Sequence, residues 1–390
     1  MNSTVPRGRY LSQIGYLGTA NVGPGWFTSV MGTGIFAICV AISPVAIPFG
    51  RSIGLALWIA DAFLFVLLAA IWVASIIRGP RAALGSLNDP ATAQLWGAPP
   101  MACFTLAVGS LEIGEHVFPS GVCIAAAQVL FVVGVVGSIL SVSVVPYLMF
   151  TRHELTQQKA FGSWLLPVVP PIVASVPAAL LSSTWAPAVR GDLLALAYAL
   201  LGLGLILAAI IIVIFYSRLV YDKVPGGALV TTMWLVVGPL GQSIAGFIAL
   251  GDAAKSVWPT LGYGLAMAGV AYGVLVWGFA MYWLAMAIAL TLRAARKHLP
   301  FNLSWWAFTF PVGVLTAGTD ALYRATHAHL FAIASLILLG LLATMWSLVA
   351  TKTVRGAFET IAAHVNAFHA GSLRRARSSP SPSPRRFGCF

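Results

Sequence analysis

Charge is scarce in this chain: 8% of its 390 residues are charged and 59% are hydrophobic, where a soluble domain carries about 25% charged residues. That shortage excludes a soluble enzyme or binding domain as the body of the chain. Acidic residues number ten. Only Asp61 is expected within an apolar run, near its outer end, while Glu112 and Glu115 fall in a short connection. The seven histidines all fall in connections or in the tail, which removes the helix-borne pair that a membrane haem carrier needs. The four cysteines, Cys39, Cys103, Cys123 and Cys389, show no CxxC spacing, so neither a metal cluster nor a disulfide framework is indicated. Three of them lie in apolar surroundings, as small buried hydrophobes do. Cys389 stands second from the end rather than fourth, which excludes the prenylation pattern. No cofactor is implied. The first 25 residues lack the apolar core and cleavage site of a secretory signal, so the first span is expected to be retained.

What is abundant is apolar sequence in runs of about 20 residues, the length that crosses a bilayer. The expected fold is all-α and polytopic, with about ten transmembrane helices at 26–43, 53–77, 98–112, 121–150, 164–182, 193–217, 227–250, 259–291, 303–320 and 328–350. Residues 1–25 form a short segment before this domain (26–350), and 351–390 a basic tail. Within the tail, "TKTVRGAFETIAAHVNAFHA" is expected to form a short amphipathic helix on the membrane surface, and "RRARSSPSPSPRRF" to be disordered. If the N-terminus is cytoplasmic, 18 of the 22 lysines and arginines fall on the inner side and only Arg51, Arg190, Lys255 and Arg324 on the outer. That asymmetry predicts both termini in the cytoplasm of a multi-pass cell-membrane protein (inner or plasma membrane). It also accounts for the net charge of +12 without nucleic acid as a partner.

Odd and even spans differ in kind. Spans 4, 6 and 10 are almost wholly apolar and read as lipid-facing. Span 1 instead carries Thr28, Ser29, Gly32, Thr33 and Gly34, and span 5 carries Pro167, Pro170, Pro171 and Pro177. Span 7 has Gly238, Pro239, Gly241, Gln242 and Ser243; span 9 has Thr309, Pro311, Gly313, Thr316 and Thr319. Proline in mid-span frees backbone groups, and such irregular backbone survives at membrane depth only against protein or a wet cavity. Five hairpins are therefore expected around a central pore, each with its first helix inside. Close packing of small residues is the alternative account of the glycines. A pore without fixed charge, offering helix termini and hydroxyls, suits a small anionic substrate, since negative side chains would repel it.

The strings "PGWFTSVMGTGI", "GPLGQS" and "FNLSWWAFTFPVG" resemble the tellurite-resistance/dicarboxylate transporter family, over about residues 20 to 350. The resemblance implies ten helices with a five-helix inner pore, a homotrimer, and an anion pathway occluded by a phenylalanine of the ninth helix. The matching "TFP" puts that gate at Phe310, with Phe308 the competitor. Pro311 biases residue 310 away from helix, which would let its ring turn inward. The expected pore lining is Thr28, Gly32, Thr33, Gly34, Pro170, Pro171, Gly238, Pro239, Gln242 and Pro311.

The leading reading is transport of small anions, as a C4-dicarboxylate (malate-type) carrier or as channel-like passage. Export of sulfite or tellurite-related oxyanions is the alternative. A membrane-embedded enzyme would need a cluster of titratable or nucleophilic groups at one depth, which the spans lack, so catalysis is not expected. A non-conducting sensor is supported only by the tail.

Overall fold

The structure is a computed structural model. It describes residues 22–224, 227–296 and 299–377, with side chains described except at 227–228 and 360–377. The first segment up to residue 21 and the Ser/Pro/Arg end of the tail after Arg377 lie outside these residues. Among the described residues every regular element is helical. The ten principal helices are α1 (Phe27–Ala41), α2 (Gly50–Arg78), α3 (Ala98–Glu112), α4 (Ser120–Thr151), α5 (Pro170–Thr184), α6 (Pro187–Asp222), α7 (Val237–Val257), α8 (Pro259–Ala295), α9 (Phe310–Thr326) and α10 (His329–Arg377).

Seven helical segments are long and apolar enough to cross a membrane, namely those carrying α1, α2, α4, α6, α7, α8 and α10. The others, α3, α5 and α9, are the shorter helices of the interior. Each odd helix packs on the even helix that follows it. The odd helices also close a ring, in which α1 packs on α3, α3 on α5, α5 on α7, α7 on α9 and α9 on α1. Burial follows the same division: within an apolar 18-residue stretch of each segment, 83% and 89% of the residues are buried in those carrying α1 and α7, against 11% in α2 and 28% in each of α4, α6 and α8. A helix apolar all round needs no hidden face in lipid, because hydrocarbon solvates leucine as well as protein does. Composition thus selects the outer ring, and small or polar residues select the inner one.

Small residues set how near the helices come. A Cβ at Gly241 of α7 would lie 2.5 Å from the Leu315 backbone of α9, and one at Gly54 of α2 2.6 Å from the Ala41 Cβ of α1. Two of the four cations expected outside lie at one end of the ring: Arg324 donates to the carbonyl of Ile42, and Arg51 lines a cleft of about 610 Å³ with Glu112, Glu115 and His116. The tail departs from expectation. The helix begun at His329 continues to Arg377 instead of breaking after residue 350. No proline falls in that stretch, and its alanines and charged residues favour continuation.

Candidate functional site

The inner helices share one construction. Each α-helix is preceded by 3₁₀ backbone: Pro24–Trp26 before α1, Gln94–Gly97 before α3, Gly162–Leu165 ahead of α5, Gly227–Val236 before α7 and Leu303–Phe308 before α9. The prolines explain the change. A proline inside an α-helix loses a hydrogen bond and clashes with the carbonyl four residues back, whereas in the first turn its missing N–H costs nothing. Pro170 and Pro171 open α5, Pro239 sits in the first turn of α7, and Pro311 is the second residue of α9. Proline here starts a new helix, where irregular backbone in mid-span was expected. The ten-residue 3₁₀ stretch before α7 rises about 20 Å at roughly 2.0 Å per residue. The α-helical N-termini, each bearing about half a positive charge, are thereby set back inside the ring.

Such backbone needs outside partners at this depth, and the outer helix α8 supplies them. Trp283 Nε1 donates to the Met233 carbonyl at 2.9 Å, and Thr291 Oγ1 accepts from Trp234 Nε1 at 2.9 Å. The two longest 3₁₀ stretches are joined through Thr231 and Ser304, whose hydroxyls lie 2.8 Å apart.

The first turns of α7 and α9 stand next to each other, with room for one further carbon between Gly238 and Pro311. A Cβ at Gly238 would meet nothing nearer than Pro311, at 3.9 Å, although Gly238 is buried. One turn along the same face stands Gln242. It is 5% exposed and has no hydrogen-bond partner among the described residues, yet its amide is not among the sealed, unpaired polar atoms. Its amide therefore keeps a little accessible surface. Phe310 begins α9 beside Pro311 and is 3% exposed. Its competitor is held differently: Phe308 lies edge-on to Trp234, with centroids 5.0 Å apart, and to Trp305 at 5.6 Å. Pro170 and Pro171 are buried in the first turn of α5, which packs on α7.

Span 1 is placed otherwise. A Cβ at Gly32 would lie 2.8 Å from the Trp306 ring in the 3₁₀ stretch before α9; one at Gly34 would lie 2.7 Å from both Asp61 Oδ2 of α2 and the Thr105 methyl of α3. Close helix approach accounts for both glycines. Thr33 accepts from Trp346 Nε1 of α10 at 3.0 Å, and Thr28 donates to the Gly25 carbonyl at 2.7 Å. Three hydroxyls of span 9 likewise turn back on the chain just before them: Thr309 donates to Trp306, Thr316 to Val312 and Thr319 to Leu315. The expected ring of hydroxyl donors is thus spent on backbone carbonyls. Gln242 is left as the side-chain donor beside the Gly238–Pro311 space.

Two acidic residues correct the sequence reading. Asp61 lies eleven residues into the 29-residue α2, about 16 Å along it, rather than near its outer end. It is fully buried, and neither carboxyl oxygen has a partner. Asp320, at the margin of the expected span 9, is buried in α9 and accepts from Ser335 of α10. Asp61 could have been placed by following the inward stripe Gly50, Gly54, Trp58, Asp61 at helical spacing. Nothing in the sequence singles out its lack of a partner.

Residues 21–354 match the family model described as SLAC1, voltage-dependent anion channel. A sulfite efflux pump of Trichophyton rubrum is 31% identical over 87% of this chain and 92% of its own length. One of Arthroderma otae is 30% identical with the same coverage. The malic acid transport protein of Schizosaccharomyces pombe is more distant, 24% identical over 73% of this chain and 67% of its own.

Proposed function

This chain belongs to the voltage-dependent anion channel (SLAC1) family of anion transporters, and we propose that it carries a small oxyanion, sulfite foremost, between the first turns of its inner helices. The observation that carries this reading is the unpartnered Gln242 amide one turn from Gly238, where the absent side chain leaves room for a carbon in ordinary contact with Pro311. An anion there meets the positive ends of α7 and α9 and an amide donor, and no acidic side chain stands in those turns. Sulfite is put first because the sulfite efflux pumps align over nearly their whole length. Malate is the second reading, since the malic acid transport protein is also related, over a smaller share of both chains.

Phe310 is assigned as the gate. It shares the first turn of α9 with Pro311, and its ring has no aromatic partner within stacking range among the described residues, whereas Phe308 is wedged between two tryptophans. A homotrimer in the cell membrane with cytoplasmic termini is the arrangement supported by the resemblance and by the distribution of basic residues.

The test is flux in proteoliposomes of the purified full chain with sulfite, malate, succinate and chloride supplied singly. Sulfite flux above the others is expected. Malate flux well above sulfite would favour the second reading. Flux no higher than in protein-free vesicles for all four would overturn both.

A further inference from the structure

Arg218 was expected in a connection, but it lies within α6, one turn from the helix end. The buried residues of α6 run Gly204, Ala208, Ile212, Phe215, Arg218, so the arginine continues the stripe that faces protein. It is 6% exposed. Its guanidinium carbon lies 4.9 Å from the centroid of the Phe161 ring, which covers one face of the plane. The Nε and Nη1 atoms are sealed with no hydrogen-bond partner, so an anion reaches them only where the side chains packed over them give way, while Nη2, with its two N–H donors, is the guanidinium nitrogen that is not sealed. Asp222, the acidic residue one turn on, is exposed and forms no ion pair with it. Phe161 directly precedes the 3₁₀ turn Gly162–Leu165 that leads toward α5, and that turn packs on α6 and on the 3₁₀ stretch before α7. The guanidinium thus stands beneath the lead-ins of two inner helices.

A buried cation is costly unless it is paired, and arginine presents its donors in a flat fork that fits oxyanions. We propose that Arg218, stacked on Phe161, binds an oxyanion at this end of the protein, separately from the Gly238–Pro311 space. Sulfite, a carboxylate and a phosphate share the chemistry required. The source is either a free anion on its way to the inner helices, in which case the site extends the transport reading above, or the headgroup of an anionic phospholipid. Phe161 fixes the plane of the guanidinium and keeps water from that face.

The experiment measures thermal unfolding of the full chain in nanodiscs. One arm uses phosphatidylcholine alone with sulfite, malate or inorganic phosphate added; the other adds phosphatidylglycerol with no added anion. The wild type is expected to gain about 3 °C or more from one of these sources at saturation. A response in the first arm identifies a free anion, and one confined to the second identifies the lipid. Arg218→Gln should fold at least as well without ligand and lose the response. Arg218→Lys should keep a weakened one, since the charge remains but the fork does not. Should Arg218→Gln fail to fold, Phe161→Leu decides, because it loosens the guanidinium without removing it and should reduce the response at least threefold in ligand affinity. A wild type without response in either arm, or variants that respond as it does, would overturn the proposal. Flux of the same proteins reconstituted in proteoliposomes keeps the two readings apart: normal flux with no response removes only this site, and a response without flux removes only the transport assignment.

Discussion

Truncating the two phenylalanines of the "TFP" region separately should give opposite results. Phe308 is buried edge-on between Trp234 and Trp305, with centroids 5.0 and 5.6 Å away. Phe308→Ala therefore removes a large core side chain, which costs about 3–5 kcal/mol, including about 0.5–1.5 kcal/mol for each aromatic pair. Phe310 is as deeply buried but stands at the start of α9 next to Pro311, which is the nearest neighbour to the space above Gly238. With no ring pair to lose, Phe310→Ala should cost only the transfer term, about 1.5–3 kcal/mol. If the ring is a steric and dewetting barrier, its removal should raise flux about tenfold, equivalent to about 1.4 kcal/mol of barrier. The assay is anion efflux from proteoliposomes, normalised to folded protein by size-exclusion recovery, with melting temperature measured on the same samples. Phe310→Ala should melt within a few degrees of wild type and conduct faster; Phe308→Ala should melt much lower, with no gain per folded molecule. The gate assignment fails if Phe310→Ala lowers flux per folded molecule, or if Phe308→Ala alone raises it.

Gln242→Leu should cut flux about tenfold at unchanged melting temperature, since a hydrogen bond to a charged group contributes about 1.5–3 kcal/mol; a stability loss with normal flux would mean the amide serves packing. Gly32→Leu should lower yield and melting temperature, because even its Cβ would press on Trp306 and Thr309 and overpacking costs about 1–3 kcal/mol. A stable Gly32→Leu protein with reduced flux would return this glycine to the bore. Asp61→Asn keeps the shape of a side chain whose oxygens have no partner and removes a charge that is costly in the membrane, so it should melt at or above wild type. A drop of more than about 2 kcal/mol, outside the range of neutral substitutions, would show that a partner for this carboxylate exists in the folded protein.

The two rings of helices were legible because lipid exposure and interior packing demand different residues. Leucine-rich stretches such as span 6 gain nothing from a protein neighbour, and the runs containing Gly238, Pro239 and Pro311 fit nowhere else. Proline was read as a break in mid-span, and the structure puts it at the start of a helix. The distinction depends on whether a helix runs on both sides of it, and the 3₁₀ stretch before α7 has no periodicity signal of its own. Hydroxyls misled for a related reason: Thr316 and Thr319 look like pore donors in a sequence, but each donates to a carbonyl four residues back. Partner choice was out of reach for Arg218 and Asp61. A charge near the end of an apolar run reads as a boundary, and only packing shows that the helix continues past it with the charge turned inward.

The placement of charge bears on how an anion would pass. A guanidinium in the bore would hold an oxyanion through several charge-assisted hydrogen bonds, each contributing about 1.5–3 kcal/mol, and release would slow by roughly tenfold for every 1.4 kcal/mol. Helix N-termini act more gently, with interactions of typically 0.3–1 kcal/mol and up to about 2 when partly buried. Two or three such termini, at α5, α7 and α9, together with one amide, offset part of the cost of dehydrating the anion without forming a trap. Conduction requires that balance: binding strong enough to admit the ion and weak enough to let it leave. Arg218 stands outside those first turns, beneath the lead-ins to α5 and α7, where tight binding would not block the narrow part of the path. The interior can therefore favour anions while carrying no basic side chain in the first turns of α5, α7 and α9.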